Sequence, residues 1–158
     1  MSLHPPVPFL WFNTQAEDAA NYYVEHLGGQ ISMISRYDAG SPMPEGLAYV
    51  VEFDILGSNF IAFNGGPHYA LTPAVSFTLE CDTQAEIDRV WDMMSHGGQA
   101  LQCGWVTDKF GVTWQVTPRK LAGWMSSGDK VVTDRVVAAF MPMVKLDIAT
   151  IEAAFNGG

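Results

Sequence analysis

Apolar and polar residues alternate cleanly along "AVSFTLECD" (74–82), where Val75, Phe77, Leu79 and Cys81 oppose Ser76, Thr78, Glu80 and Asp82. A period of two marks a strand with one buried face. "LAYVVEFDIL" (47–56) shows the same period, with Tyr49, Val51, Phe53 and Ile55 against Val50, Glu52 and Asp54. Gly57-Ser58-Asn59 turns that strand into "FIAFN" (60–64), and short strands are expected at "PFLWFN" (8–13) and "QISMISRYD" (30–38). "QALQCGWVTD" (99–108) and "VTWQVTP" (112–118) flank Lys109-Phe-Gly111 as a hairpin, with an interruption expected at Cys103-Gly104. Two stretches follow a helical period instead: Ala16, Ala19, Ala20, Tyr22, Tyr23 and Leu27, then Ile87, Val90, Trp91 and Met94. Residues 119–156 read as one to three helices. Candidate starts are Ser127 or Asp129 and Asp147, and Pro142 forces a break.

The two helical stretches echo each other. "NTQAEDAANYYVEHLGGQ" (13–30) and "DTQAEIDRVWDMMSHGGQ" (82–99) share Thr-Gln-Ala-Glu and Gly-Gly-Gln at one spacing. Thr14-x-x-Glu17 and Thr83-x-x-Glu86 predict capping boxes, and the paired glycines predict helix stops. Such punctuation is common to many helices. Both stretches, however, follow a strand and precede a Gln-led strand, about 69 residues apart. The order β α β β β, linker, β α β β, helical tail is that of a duplicated module. An α+β fold follows, with module one at 7–65, a linker at 66–73, module two at 74–118 and a tail at 119–158. One detail resists: the second apolar stripe maps one residue earlier than the first, a rotation of about 100°.

Composition narrows the class. At 158 residues and 48% apolar, the chain builds one well-buried domain, or two small halves sharing a core. The longest apolar run, Val136 to Met141, is far too short for a membrane span. The N-terminal "MSLHPPVPFLWF" has neither a basic region nor a cleavage site, so no signal peptide is expected. Seventeen acids against eight Lys and Arg leave a formal charge of −9. That charge disfavours nucleic acid and anionic membranes as partners. Two distant cysteines, Cys81 and Cys103, suit a reducing cytoplasm.

"WFNTQAEDAANYYVEHLG", "NGGPH" and "CGWVTDKFGVTWQVTP" resemble the PhnB-like branch of the vicinal oxygen chelate superfamily, relatives of glyoxalases, extradiol dioxygenases and bleomycin-resistance proteins. The likeness covers about residues 7–118, and a family helical tail accounts for the remainder. The resemblance implies paired βαβββ modules, each curling a mixed sheet around a cavity, commonly in homodimers. It also implies one divalent metal held by His, Gln or Glu on the first and last strands of each module. Carried over by strand position, the four ligand slots fall near Pro8, Phe60, Ser76 and Gln115. Pro and Phe offer no donor and Ser a poor one, so no tightly held metal and no cofactor are expected. His4, His26, His68 and His96 supply no His-x-His or Glu-x-x-His spacing. Some family members are described as ubiquinone-pathway methyltransferases. No Gly-x-Gly-x-Gly loop follows the first strand here, which argues against that chemistry.

The candidate ligand-binding residues are Trp11, Asn64, His68, Glu80, Cys103, Trp105 and Gln115. Glu80 and Gln115 share polar strand faces, which suit either a cavity wall or a solvated sheet. An enclosed Glu80 would be a candidate base. Cys103 reads as a reactive thiol or as apolar filler. Trp11, Trp105 and Trp114 read as core or as a platform for a planar ligand. The expected function is small-molecule binding without a tightly held metal. The alternative is a superfamily enzyme, of lyase, isomerase or dioxygenase type, with altered ligands.

Overall fold

The computed structural model describes residues 3–158. Met1 and Ser2, the head of the stretch read as lacking a signal peptide, lie outside the described residues. The chain divides into two compact units, one ending at Leu71 and the other beginning at Thr72. None of the described helices is long and apolar enough to cross a membrane.

The first unit runs β1 (Phe9–Phe12), α1 (Ala16–Leu27), β2 (Gly29–Arg36), β3 (Ala48–Ile55) and β4 (Ser58–Asn64). The second runs β5 (Phe77–Cys81), α2 (Gln84–Ser95), β6 (Gln99–Ala100), β7 (Trp105–Thr107) and β8 (Thr113–Pro118), then α3 (Leu121–Met125), α4 (Lys130–Phe140) and α5 (Ile148–Asn156). Each unit holds an open four-stranded mixed sheet, ordered β1-β4-β3-β2 and β5-β8-β7-β6. In each, the first strand pairs parallel with the last and the other pairs are antiparallel. The fold is α+β, built from two βαβββ modules of one topology.

Local chemistry explains the misfit between the echoed helices. Thr83 caps α2 as expected: its hydroxyl accepts from the Glu86 amide, and the Glu86 carboxylate accepts from the Thr83 amide. These contacts hold the Glu86 carboxyl below its usual range, the Asp82 and Thr83 amides being the main cause. Thr14 forms no such box. The N-cap of α1 is Gln15, one position later, and it makes no side-chain cap. The Ala16 amide donates instead to Asn64 Oδ1 at 2.8 Å, and the Glu17 carboxylate accepts two hydrogen bonds from Arg36. The two helices thus start one position apart in the echo, and they bury different faces: Ala16, Ala19, Ala20 and Tyr23 on α1, and Ile87, Val90, Trp91 and Met94 on α2.

Under α1 lie Leu10, Phe12, Val51, Phe53, Phe60 and Ala62. Tyr23, Phe53 and Phe60 stack in series at centroid distances of 6.3 and 5.6 Å. Tyr49 departs from the expected face and is exposed. A register shift at Ser35/Arg36 lies beside it, and its ring meets Tyr37 and Phe63. The β3–β4 turn is the two-residue Leu56-Gly57, both at positive φ, so β4 starts earlier than the pattern suggests. In the second unit Val75 lies outside β5 and is exposed, which leaves Leu79 and Cys81 as the buried positions of that strand. Burial raises the Cys81 thiol above its usual range.

The tail packs on its own unit. Trp124, Val136, Leu146 and Ile151 form a core of their own. Asp129 and Asp147 cap α4 and α5, and α4 ends at Phe140, two residues before Pro142. The Gln84 side chain donates to the Leu146 carbonyl and accepts from the Ile148 amide. Lys145 pairs with Asp88 at 2.7 Å, and this ammonium, then the Gln84 amide, holds the Asp88 carboxyl below its usual range. Where β6 and β7 are interrupted, the Cys103 and Gly104 amides donate to the Met143 and Val144 carbonyls.

Asn64→Ala is expected to lower the unfolding free energy by about 2–3 kcal/mol, since it orphans two buried backbone groups. Thr83→Ala should cost about 1 kcal/mol and Thr14→Ala less than about 0.5. Urea denaturation ranks the three, and equal losses at Thr14 and Thr83 contradict this account of the helix starts. Gln84→Ala should speed amide exchange in α5 while leaving α1 unchanged, as read by hydrogen exchange with mass spectrometry.

Candidate functional site

Each sheet has one face under its helix and one open face. On the second sheet Leu79, Cys81, Val106, Trp114 and Val116 are buried. The opposite face carries the row Trp105–Gln115–Thr78 across β7, β8 and β5, with Glu80 beside Thr117. Gln115 Nε2 donates to Ser76 Oγ at 2.8 Å, and the Thr107 and Thr113 hydroxyls bond at 3.1 Å. This face is polar apart from Trp105. Glu80 is exposed, so it lacks the enclosure that would make it a buried general base.

The open face of the first sheet is apolar and aromatic. Phe9 pairs with Ile61 and Trp11 with Phe63 across β1 and β4. Trp11 packs edge-on against Phe63 and Tyr69, at 4.7 and 5.0 Å, and its indole N–H donates to the Gly66 carbonyl at 2.8 Å. Gly65 lies under these rings: a Cβ there would come within 2.3 Å of both Trp11 and Phe63. The Tyr37 hydroxyl donates to the Asn64 carbonyl at 2.6 Å. Burial, and then Tyr49, push the Tyr37 phenol above its usual range. A cavity of about 410 Å³ opens on this unit, lined in part by Val7, Ser32, Glu52, Asn59 and Ile61.

The sequence-predicted residues therefore scatter. Glu80, Trp105 and Gln115 share the open face of the second sheet, and Trp11 lies on that of the first. Asn64 is fully buried, and its side-chain amide bonds to Ala16 and Ala48, so it fastens α1 and β3 to β4. His68 is exposed after the β4 turn. Cys103 sits at φ +60°, its thiol 3.2 Å from the Met141 carbonyl and 3.5 Å from the Met141 sulfur. It belongs to the tail contact. Trp114 is core.

One buried carboxylate escaped the candidate set. Asp108 is 4% exposed. Its Oδ1 accepts from the Phe110 and Val112 amides, and its Oδ2 from the Trp114 indole, at 2.8–3.0 Å. The Asp-x-Phe-Gly-x-x-Trp spacing is the signal for it: an acceptor at the turn start meets the amides two and four residues on. Its role is to close the β7–β8 turn.

The fit of a superfamily metal can be tested on this geometry. Pro8 has no donor, and Phe60 is buried against Phe53. Ser76 and Gln115 bond to one another. Among the described residues no three His, Cys, Asp or Glu side chains come together as a metal-binding group. The donor set does not fit a tightly held ion.

Residues 5–117 match the 3-demethylubiquinone-9 3-methyltransferase family. The chain belongs to this PhnB-like family. A PhnB protein from Bacillus cereus, described as a putative 3-demethylubiquinone-9 3-methyltransferase, is 32% identical with a TM-score of 0.68, over 73% of this chain and 99% of that one. Protein PA1353 from Pseudomonas aeruginosa is 25% identical with a TM-score of 0.61, over 74% and 98%. The fosfomycin resistance protein FosX from Listeria monocytogenes, solved with Mn(II) and sulfate, shares the fold alone: 10% identity and a TM-score of 0.54, over 73% and 92%. No curated protein shows a significant match. The family match stops at residue 117, so α3–α5 lie beyond it.

Asp108→Ala is expected to cost about 3 kcal/mol, because it orphans buried donors. Glu80→Ala, at an exposed site, should stay within about 0.5 kcal/mol. Guanidinium denaturation compares the two, and a small loss at Asp108 contradicts its assigned role.

Proposed function

We propose that the protein binds a small organic molecule on the open face of a module, without a tightly held metal. The observation that carries this reading is the cavity of about 410 Å³ on the first unit, lined in part by Glu52, Asn59 and Ile61 of its sheet. That size lies within the range of small-molecule sites. The donor-poor slots at Pro8, Phe60, Ser76 and Gln115 support the metal-free part. Methyl transfer finds no support in the residues after β1. Asn13-Thr14-Gln15 leads straight into α1 and contains no glycine through which a backbone could approach a nucleotide cofactor.

The test is a thermal-shift screen of a small-molecule panel, with EDTA and with added Mn, Ni or Zn, alongside elemental analysis of the purified protein. Far less than one metal equivalent is expected, together with stabilisation by a subset of the panel that EDTA leaves unchanged. Stabilisation only with added metal would favour a superfamily enzyme with altered ligands. Near-stoichiometric metal, or a panel without effect, overturns the reading.

A further inference from the structure

The open face of the first sheet has a row running from β1 to β2: Phe9, Ile61, Glu52 and Met33. Three members are apolar, and the fourth is a carboxylate on a central strand. Glu52 and Ile61 both line the cavity, with Val7 and Asn59 beside them. Asp54 follows two residues later on β3, so its side chain falls on the same face, opposite Asn59. Neither Glu52 nor Asp54 forms an ion pair among the described residues.

The charge balance of this unit is lopsided. Residues 1–71 contain seven carboxylates (Glu17, Asp18, Glu25, Asp38, Glu45, Glu52 and Asp54) and one Lys or Arg, Arg36, for a formal −6 of the chain's −9. Arg36 is already committed: its guanidinium grips both oxygens of Glu17, at 2.8 and 2.9 Å, and donates to the Gly46 carbonyl. This pairing holds the Glu17 carboxyl below its usual range. The unit therefore has no second Lys or Arg to neutralise Glu52 in the cavity or Asp54 two residues on.

We infer that this cavity takes a small organic cation, with an ammonium or amidinium head at Glu52 and an apolar body along Ile61 and Phe9. The inference rests on the small-molecule reading above and names the ligand's charge class. Anions are repelled by the unit as a whole. A bare divalent ion meets two carboxylates on alternate strand positions, and among the described residues no third His, Cys, Asp or Glu is grouped with them. An amine with a hydrocarbon or aromatic body satisfies both features. Its charge meets Glu52, and its body covers Ile61 and Phe9, which is 56% exposed and packs 5.6 Å from Phe63.

The test titrates the full chain with three probes of similar size: 2-phenylethylammonium, 2-phenylethanol and 3-phenylpropanoate. Isothermal calorimetry at low salt is the readout. The ammonium should bind at least about tenfold tighter than the alcohol, which is one step of 1.4 kcal/mol, and the propanoate weakest. Glu52→Gln, at an exposed position, should abolish that preference with the thermal midpoint retained. Added salt should erode it for the native chain. If the alcohol or the propanoate binds as well as the ammonium, the charge assignment is overturned while small-molecule binding stands. A preference that survives Glu52→Gln also overturns it. Binding of none of the three overturns the assignment, and the thermal-shift panel then judges the broader reading separately.

Discussion

The side-chain amide of Asn64 accepts the Ala16 amide at the start of α1 and donates to the Ala48 carbonyl at the start of β3. Through these two bonds one buried side chain ties β4, β3 and α1 together. A helix start needs an acceptor for its first free amides, and their supply sets the phase of the helix. Supplied by Asn64, it begins α1 one residue after the threonine that its sequence offers. Ala19, Ala20 and Tyr23 then face the sheet. Gly65, next in the chain, must lack a side chain because Trp11 and Phe63 close over it. The Asn-Gly-Gly motif thus helps to build the aromatic face.

Asp108 plays the corresponding part in the second unit, with three N–H donors gathered on one carboxylate. Buried charge is tolerated where its hydrogen bonds are complete. Two residues of the distinctive motifs, Asn64 and Asp108, thus act as fasteners. The open faces carry an aromatic wall on one sheet, a polar row on the other and an unpaired carboxylate at the centre of the first. The open faces of the two modules differ in character although their topology is the same. The strand order is common to both modules, and the side chains on their open faces are not.

The tail illustrates how an addition is accommodated. The second sheet has a gap between its two-residue β6 and its three-residue β7. Amides at Cys103 and Gly104 that lack a sheet partner there donate to carbonyls of the tail instead. Gln84, the glutamine of the second Thr-Gln-Ala-Glu, clasps the start of α5 from the side of α2. In the first copy the same letter, Gln15, is the N-cap itself and makes no side-chain cap. Identical letters therefore do different work according to what packs beside them.

Sequence by itself determined the two-module α+β architecture, the helix starts at Thr83 and Asp147, and the want of donor side chains at Pro8 and Phe60. All of these follow from local periodicity, short-range capping or residue chemistry. Tertiary structure decided the rest. Only it could show that Asn64 reaches back 48 residues to displace the Thr14 cap. Only it could show that Tyr49 turns outward, that Asp108 is buried under Trp114, and that Glu52, not Glu80, is the carboxylate in the cavity. The reason is physical. Strand alternation tells which residues share a face, but burial depends on what covers that face, and the covering elements come from distant parts of the chain.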